Sequence, residues 1–204
     1  MSTHSTPQTP KRGRLKIYLG AAPGSGKTCA MLSEAHTLLR GGTDVVVGIV
    51  EDHGRAYTKS LCEGLEVIPR RHVGVIAAGE LDTEAVLRRR PSIVLIDEFA
   101  HSNPRGETHA KRWEDVEEIL DAGIDVISTL NIQHVESLND VITQITGIAP
   151  QETVPDEVVR AADEIELIDV SPQLLRTRLS DGQVYHEARI APALNNYCLL
   201  YTSP

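Results

Sequence analysis

Residues 14–40 run directly from an apolar strand through a tight glycine-rich turn into an amphipathic helix, and few folds accommodate that order. Arg14 to Leu19 (RLKIYL) has the length and apolar content of a buried strand. The turn at 21–28 (AAPGSGKT) carries a proline and two glycines, which break regular structure. From Lys27 to Arg40 the apolar residues Met31, Ala35, Leu38 and Leu39 share one helical face, and Gly41-Gly42 stops the helix. A strand that turns this quickly into a helix lays the helix back across its own sheet, the building unit of a parallel α/β fold.

The alternation continues along the chain. Val45 to Val50 (VVVGIV) is apolar throughout, as a parallel strand covered on both faces must be. Ala56 to Cys62 reads as a short helix, Leu65–Ile68 and Val73–Ala77 as short strands, and Leu81–Arg89 as a helix followed by Pro91. Ile93–Ile96 (IVLI) is the next buried strand. Lys111–Ala122 is amphipathic through Val116, Ile119 and Leu120 and is capped by Gly123. Ile124–Leu130 reads as a strand, and His134–Thr146 as a helix with Val135, Leu138, Val141, Ile142 and Ile145 on one face. Glu164–Val170 is expected as the last strand and Pro172–Leu179 as a short helix. The expected fold is α/β, a doubly wound parallel sheet with helices on both faces, in one domain over residues 14–197. Residues 1–13, rich in Ser, Thr and Pro, read as a disordered lead-in, and 198–204 as a tail outside the fold. Aromatic residues are only 3% of the 204, so the core is aliphatic.

The turn follows the pattern G-x-x-x-x-G-K-[ST], with Ala21 in the place of the first glycine. Gly24 and Gly26 allow backbone torsions that aim successive N–H groups at an anion, and the helix N-terminus adds its dipole. Lys27 brings a point charge to β- and γ-phosphates, and the Thr28 hydroxyl is the expected Mg²⁺ ligand. The candidate nucleotide-binding residues are therefore Ala22, Pro23, Gly24, Ser25, Gly26, Lys27 and Thr28, and the expected ligand is ATP with Mg²⁺. In fold terms this is a P-loop NTPase-like reading.

A second feature matches it. Ile93–Ile96 delivers Asp97-Glu98 to the carboxyl edge of the sheet, where α/β proteins bind ligands. Asp97 is expected to hold Mg²⁺ directly or through water, and Glu98 is the candidate to polarise an attacking water. The plainer reading is an acidic strand end that caps the next segment. Glu51–Arg55 (EDHGR) reaches the same edge and reads either as a contact to nucleotide, substrate or a neighbouring subunit, or as a solvated turn. Asn131 reads either as a sensor of the γ-phosphate or as a helix cap. His101, Ser102 and Asn103 follow the acidic pair, and Arg105 and His109 lie in the loop beyond. Lys111 and Arg112 read as helix-surface charges rather than arginine fingers, and Trp113 as a core anchor.

Composition narrows the classes. The net charge of −9 disfavours nucleic acid as a main partner. Cys29, Cys62 and Cys198 are widely spaced and make no metal-type pair, so free thiols in a reducing compartment are expected. No stretch approaches the ~18 apolar residues of a membrane span, and the N-terminus lacks the apolar run of a signal peptide.

The stretches GRLKIYLGAAPGSGKTCAML, DVVVGIVEDHGR, GLEVIPR, IDEFAHSN, KRWEDVEEILDAGIDVISTLNIQHVESLND and ETVPDEVVRAADEIELIDVSPQLLRTRLSDGQVY together resemble the N-terminal cytoplasmic domain of the KdpD family, the potassium-responsive sensor histidine kinases of bacteria. The resemblance spans Gly13 to Tyr197. Lys111–Asp140 and the ETVPD segment are its most distinctive parts. It implies a cytoplasmic ATP-binding regulatory domain that tunes kinase and phosphatase output in potassium and osmotic signalling. The partners implied are a universal-stress-protein-like domain, membrane helices and a kinase core in the full protein, and indirectly a response regulator. A homodimer is left open. By position, Gly24, Gly26, Lys27 and Thr28 match the first nucleotide motif of the family and Asp97-Glu98 the second. The loop Pro104–Thr108 departs from the family's usual pattern, with Thr108 where a basic residue is expected. A stand-alone Mg²⁺-dependent ATPase or small-molecule kinase is the alternative reading.

Overall fold

Among the described residues, six strands form one all-parallel sheet in the order β3-β2-β4-β5-β1-β6, with the aliphatic runs at its centre. The strands are β1 (Leu15–Gly20), β2 (Val45–Ile49), β3 (Glu66–Val67), β4 (Ile93–Ile96), β5 (Asp125–Asn131) and β6 (Glu164–Ile168). The helices are α1 (Lys27–Arg40), α2 (Ala56–Leu61), α3 (Thr83–Arg89), α4 (Arg112–Asp121), α5 (Asn139–Thr146) and α6 (Asp156–Arg160). This computed structural model describes residues 11–21, 23–72, 79–146 and 150–170, with Leu174 and Thr177. Ala22, the strand expected at 73–77, most of the helix expected at 172–179, the start of the lead-in and the tail with Cys198 lie outside the described residues.

Strand order fixes the layers. The chain moves from β1 outward to β2 and β3, then reverses and steps back through β4 and β5 to β6. Right-handed crossovers place helices on opposite faces when the direction of travel reverses. Two cores result. Met31, Leu32 and Ala35 of α1 pack on Tyr18, Val45, Val47, Leu95 and Ile127. Val86 of α3 and Val116, Ile119 and Leu120 of α4 pack on Ile17, Val46, Val94, Ile96 and Val126. In β4, Leu95 faces one core and Val94 and Ile96 the other, which is why every position of that run is apolar.

The structure departs from the expected elements in three places. The run Val45–Val50 is not a uniform strand, because its register against β4 shifts between Val47 and Ile49. Gly48 sits at the shift, where an added Cβ would lie 2.9 Å from Val94 Cγ2. The helix expected from His134 begins only at Asn139. Short 3₁₀ turns at Ile132–His134 and Glu136–Leu138 precede it, because Val135 is extended and pairs with Val154. Val154 donates its N–H to His134 O at 2.8 Å and accepts from Glu136 N–H at 3.0 Å, so the local helical pattern yields to a long-range pairing. Finally, α6 follows Pro155, a helix start that periodicity alone did not reveal in five residues.

The edges are tied down by charge. Lys16 Nζ lies 3.0 Å from each of Glu34, Glu164 and Glu166, fastening β6 and α1 to β1. Arg12 and Gly13 lie against α4, where Arg12 pairs with Glu117 and Asp121 and Gly13 N–H donates to Leu120 O at 2.7 Å.

Candidate functional site

β1 ends at Gly20, and the chain folds back so tightly that a Cβ there would lie 2.5 Å from Ser25 Oγ and 2.9 Å from Lys27 Cδ. Gly24 and Gly26 take φ of 84° and 104°, torsions that favour glycine. Gly26 is the N-cap of α1 and supplies no side-chain cap to its first turn. The positive end of the α1 dipole therefore lies at the turn that follows β1.

Lys27 is buried at 7% exposure. Its Nζ donates to Asn131 Oδ1 at 2.5 Å and to Ser25 Oγ at 3.1 Å. Burial lowers its ammonium to a pKa of about 8, with Asp97 and Glu98 opposing the shift and Arg55 adding to it. Asn131 comes to this place because β5 lies beside β1 in register, with Gly20 opposite Asn131. Its side chain makes no cap on the following 3₁₀ turn, so the helix-cap reading of Asn131 is corrected. Its oxygen faces Lys27 instead.

β5 also separates β1 from β4, and α1 bridges the gap. Thr28 Oγ1 lies 3.2 Å from Asp97 Oδ2 and 3.3 Å from Oδ1. Asp97 is 2% exposed, and its carboxylate also accepts from Thr129 Oγ1 and, at 3.2 Å, from Glu51 N–H. Burial pushes the carboxyl above its ordinary range and the charge of Glu98 adds to that, while these donors pull against it. Thr129 was not singled out from sequence. The signal was present as two hydroxyls, Ser128 and Thr129, among the apolar residues Val126, Ile127 and Leu130 in the middle of the strand.

Glu98 adopts a φ of 56° and is partly exposed. Its N–H donates to Thr129 Oγ1 at 3.1 Å and its Oε1 accepts from His53 Nε2 at 3.1 Å. Burial alone would raise its carboxyl, but His53, Arg112 and His101 bring it below its ordinary value. The segment Glu51–Arg55 is thus more than a solvated turn. Its backbone reaches Asp97, its His53 reaches Glu98, and Arg70 holds it at 3.0 Å to Glu51 Oε1 and 2.5 Å to Val50 O.

The expectation of a surface charge at Arg112 is overturned. Arg112 is 1% exposed, donating from Nη1 to Asp97 O at 3.0 Å and from Nη2 to Glu80 Oε2 at 3.1 Å. A long side chain at the first helical position reaches across the sheet edge, a distance the sequence does not display. Lys111 is half-buried and donates to Ser102 Oγ at 2.8 Å. Trp113 packs against the α4-side core, as expected of an anchor. His101 stands between Glu80 at 3.2 Å and Glu152 at 3.5 Å, and Asn103 and His109 both bond Asp115.

Among the described residues, no group of three or more His, Cys, Asp or Glu is gathered as a metal centre, and no helix is long and apolar enough to cross a membrane. Thr28 and Asp97 do bring a hydroxyl and a carboxylate together, hard oxygen donors of the kind Mg²⁺ takes.

Residues 11–200 match the KdpD family, described as the osmosensitive K⁺ channel His kinase sensor domain. The chain is 61% identical over 191 residues to a sensor protein KdpD of Mycobacterium tuberculosis, covering 93% of this chain and 22% of that protein. It is 49% identical over 195 residues to the sensor protein KdpD of Escherichia coli, covering 92% and 21%. With that of Clostridium acetobutylicum it shares 48% over 189 residues, covering 91% and 21%. The chain thus spans about a fifth of the length of these relatives. With the match running through the glycine-rich turn, the Asp97-Glu98 edge and the segment around Val154, the chain belongs to the KdpD sensor domain family.

Proposed function

We propose that this chain is an ATP- and Mg²⁺-binding regulatory module of a KdpD-type sensor kinase, with slow hydrolysis. The observation that carries the reading is the meeting of Thr28 Oγ1 with both carboxylate oxygens of Asp97 beside buried Lys27. Two motifs distant in sequence supply one cation-binding pair and one fixed charge at the mouth of a glycine turn. In this reading Ala22 to Gly26 wrap the phosphates, Lys27 pairs with the β- and γ-phosphates, and Asn131 senses the γ-phosphate. Thr28 and Asp97 hold Mg²⁺, whose charge offsets that of the phosphates. Lys27 then exchanges its bond to Asn131 for one to phosphate, which makes the end of β5 responsive to occupancy.

In a longer protein the module would tune the balance of kinase and phosphatase action under potassium and osmotic control. It would lie on the cytoplasmic side, with the universal-stress-like domain, membrane helices and kinase core as neighbours and a response regulator downstream. A stand-alone Mg²⁺-dependent ATPase or small-molecule kinase is the second reading, favoured by the partly exposed Glu98 carboxylate next to Asp97.

Titration of the chain with ATP, ADP and GTP, with and without Mg²⁺, tests the proposal. ATP binding that strengthens with Mg²⁺ and is lost in Lys27→Ala is the expected result, and binding that survives Lys27→Ala unchanged refutes the site. Steady turnover at about ten per second or more, abolished by Glu98→Gln, would favour the enzyme reading.

A further inference from the structure

Three non-glycine residues have positive φ among the described residues: His53 at 50°, Arg90 at 49° and Glu98 at 56°. Arg90 ends α3 in the left-handed conformation common at helix C-termini. The other two end no helix, and their side chains bond each other, His53 Nε2 to Glu98 Oε1 at 3.1 Å. A carboxylate only accepts, so His53 is the donor. Two residues held in an uncommon backbone conformation so that they meet, at the ends of adjacent strands, point to a selected contact.

The direction of that contact matters. In the sheet, β4 lies between β2 on one side and β5 followed by β1 on the other. The glycine turn and Lys27 follow β1, while His53 follows β2. The backbone at Glu98 is fixed, with Asp97 O bound by Arg112, Glu98 N–H bound to Thr129 Oγ1 and Phe99 N–H bound to Thr129 O at 2.9 Å. Only the Glu98 side chain is left to choose, and its bond to His53 commits Oε1 to the turn that follows β2. The turn carrying His53 is itself pinned, by Glu51 N–H on Asp97, Gly54 N–H on Asp52 at 2.7 Å and Arg70 on Glu51. Other charged groups near the pair are Lys27, Glu51, Arg55, Asp97, His101 and Arg112.

We infer that His53 is a latch that holds Glu98 out of its water-activating position, so that bound ATP is retained rather than cleaved. The inference rests on the nucleotide reading given above. With the latch open, Glu98 takes a proton from water as the water oxygen bonds to the γ-phosphorus. The bond from that phosphorus to the β–γ bridging oxygen breaks, its electron pair leaves with ADP, and phosphate is released. His53 touches neither nucleotide nor water in this scheme. It acts through Glu98 and is a positioning residue.

Single-turnover hydrolysis of Mg²⁺-ATP by the full chain tests this, beside the ATP dissociation constant of each variant. His53→Ala is expected to raise the rate at least about tenfold, a part of the roughly 10²- to 10⁴-fold that a positioned general base contributes, with the dissociation constant unchanged. His53→Gln keeps an N–H donor and is expected to stay near the wild-type rate. His53→Ala combined with Glu98→Gln is expected to lose the gain. A rate in His53→Ala that is unchanged or lower, or a gain that persists without Glu98, overturns the latch. If the wild-type chain binds no ATP, the nucleotide reading itself has failed and the latch falls with it.

Discussion

Arg112 holds the main-chain oxygen of Asp97 at 3.0 Å from within the core, with Glu80 as its counter-charge at 3.1 Å on the same guanidinium. A carbonyl at a strand end has no ladder partner, and this one is satisfied by a side chain from α4. Replacing Arg112 by Ala leaves the buried Glu80 with only His101 beside it at 3.2 Å, and the loss of the permanent cation costs up to about 3–5 kcal/mol by the behaviour of broken buried pairs. Urea denaturation of Arg112→Ala against wild type measures it. A loss under about 1 kcal/mol would mean that the pair is dispensable.

Gly20 governs the turn rather than the fold. A methyl group there meets Ser25 Oγ at 2.5 Å and Lys27 Cδ at 2.9 Å. Both neighbours are side chains, so the substitution displaces Lys27 without moving the sheet. Gly20→Ala is expected to weaken ATP binding at least about tenfold, the loss expected of one charge-assisted hydrogen bond, while the unfolding midpoint changes little. Equal ATP affinity in Gly20→Ala and wild type would count against the turn as the binding element.

Lys27 makes nucleotide binding sensitive to alkali. Its pKa of about 8 means that the cation is present below that pH and lost above it in the free protein. Bound phosphate stabilises the charged form, so affinity is highest below pH 8 and falls by up to about tenfold per pH unit above it. Dissociation constants between about pH 6 and 10 follow the effect, since no ordinary Lys titrates so low. A flat profile would show that Lys27 does not face the phosphates.

Gly48 marks the bulge in β2. A Cβ at this position comes within 2.9 Å of Val94 Cγ2 and 3.1 Å of Leu81 Cδ1, both in the packed core. Gly48→Ala is expected to destabilise by about 1–3 kcal/mol through overpacking. Thermal or urea unfolding measures it, and wild-type stability would show that the core relaxes around the methyl group.

The local chemistry of this protein is legible in its residues. β1, the turn and α1 are set by apolar spacing, by glycines that tolerate φ near 84° and 104°, and by Gly41-Gly42 ending the helix. IVLI followed by Asp97-Glu98 announces a buried strand with acids at its edge, because hydrophobic periodicity and turn propensity act within a few residues. Which strands lie side by side depends on contacts between distant residues. Only the order β4-β5-β1 brings Asn131 to Lys27 and Thr129 to Asp97. Only the pairing of Val135 with Val154 interrupts the helical pattern that begins at His134. Arg112 carries the same lesson. It is a charged residue that local propensity assigns to solvent, and it is turned inward by the main-chain oxygen at the end of β4 and by Glu80, where burial and hydrogen bonding outweigh the preference of the segment alone.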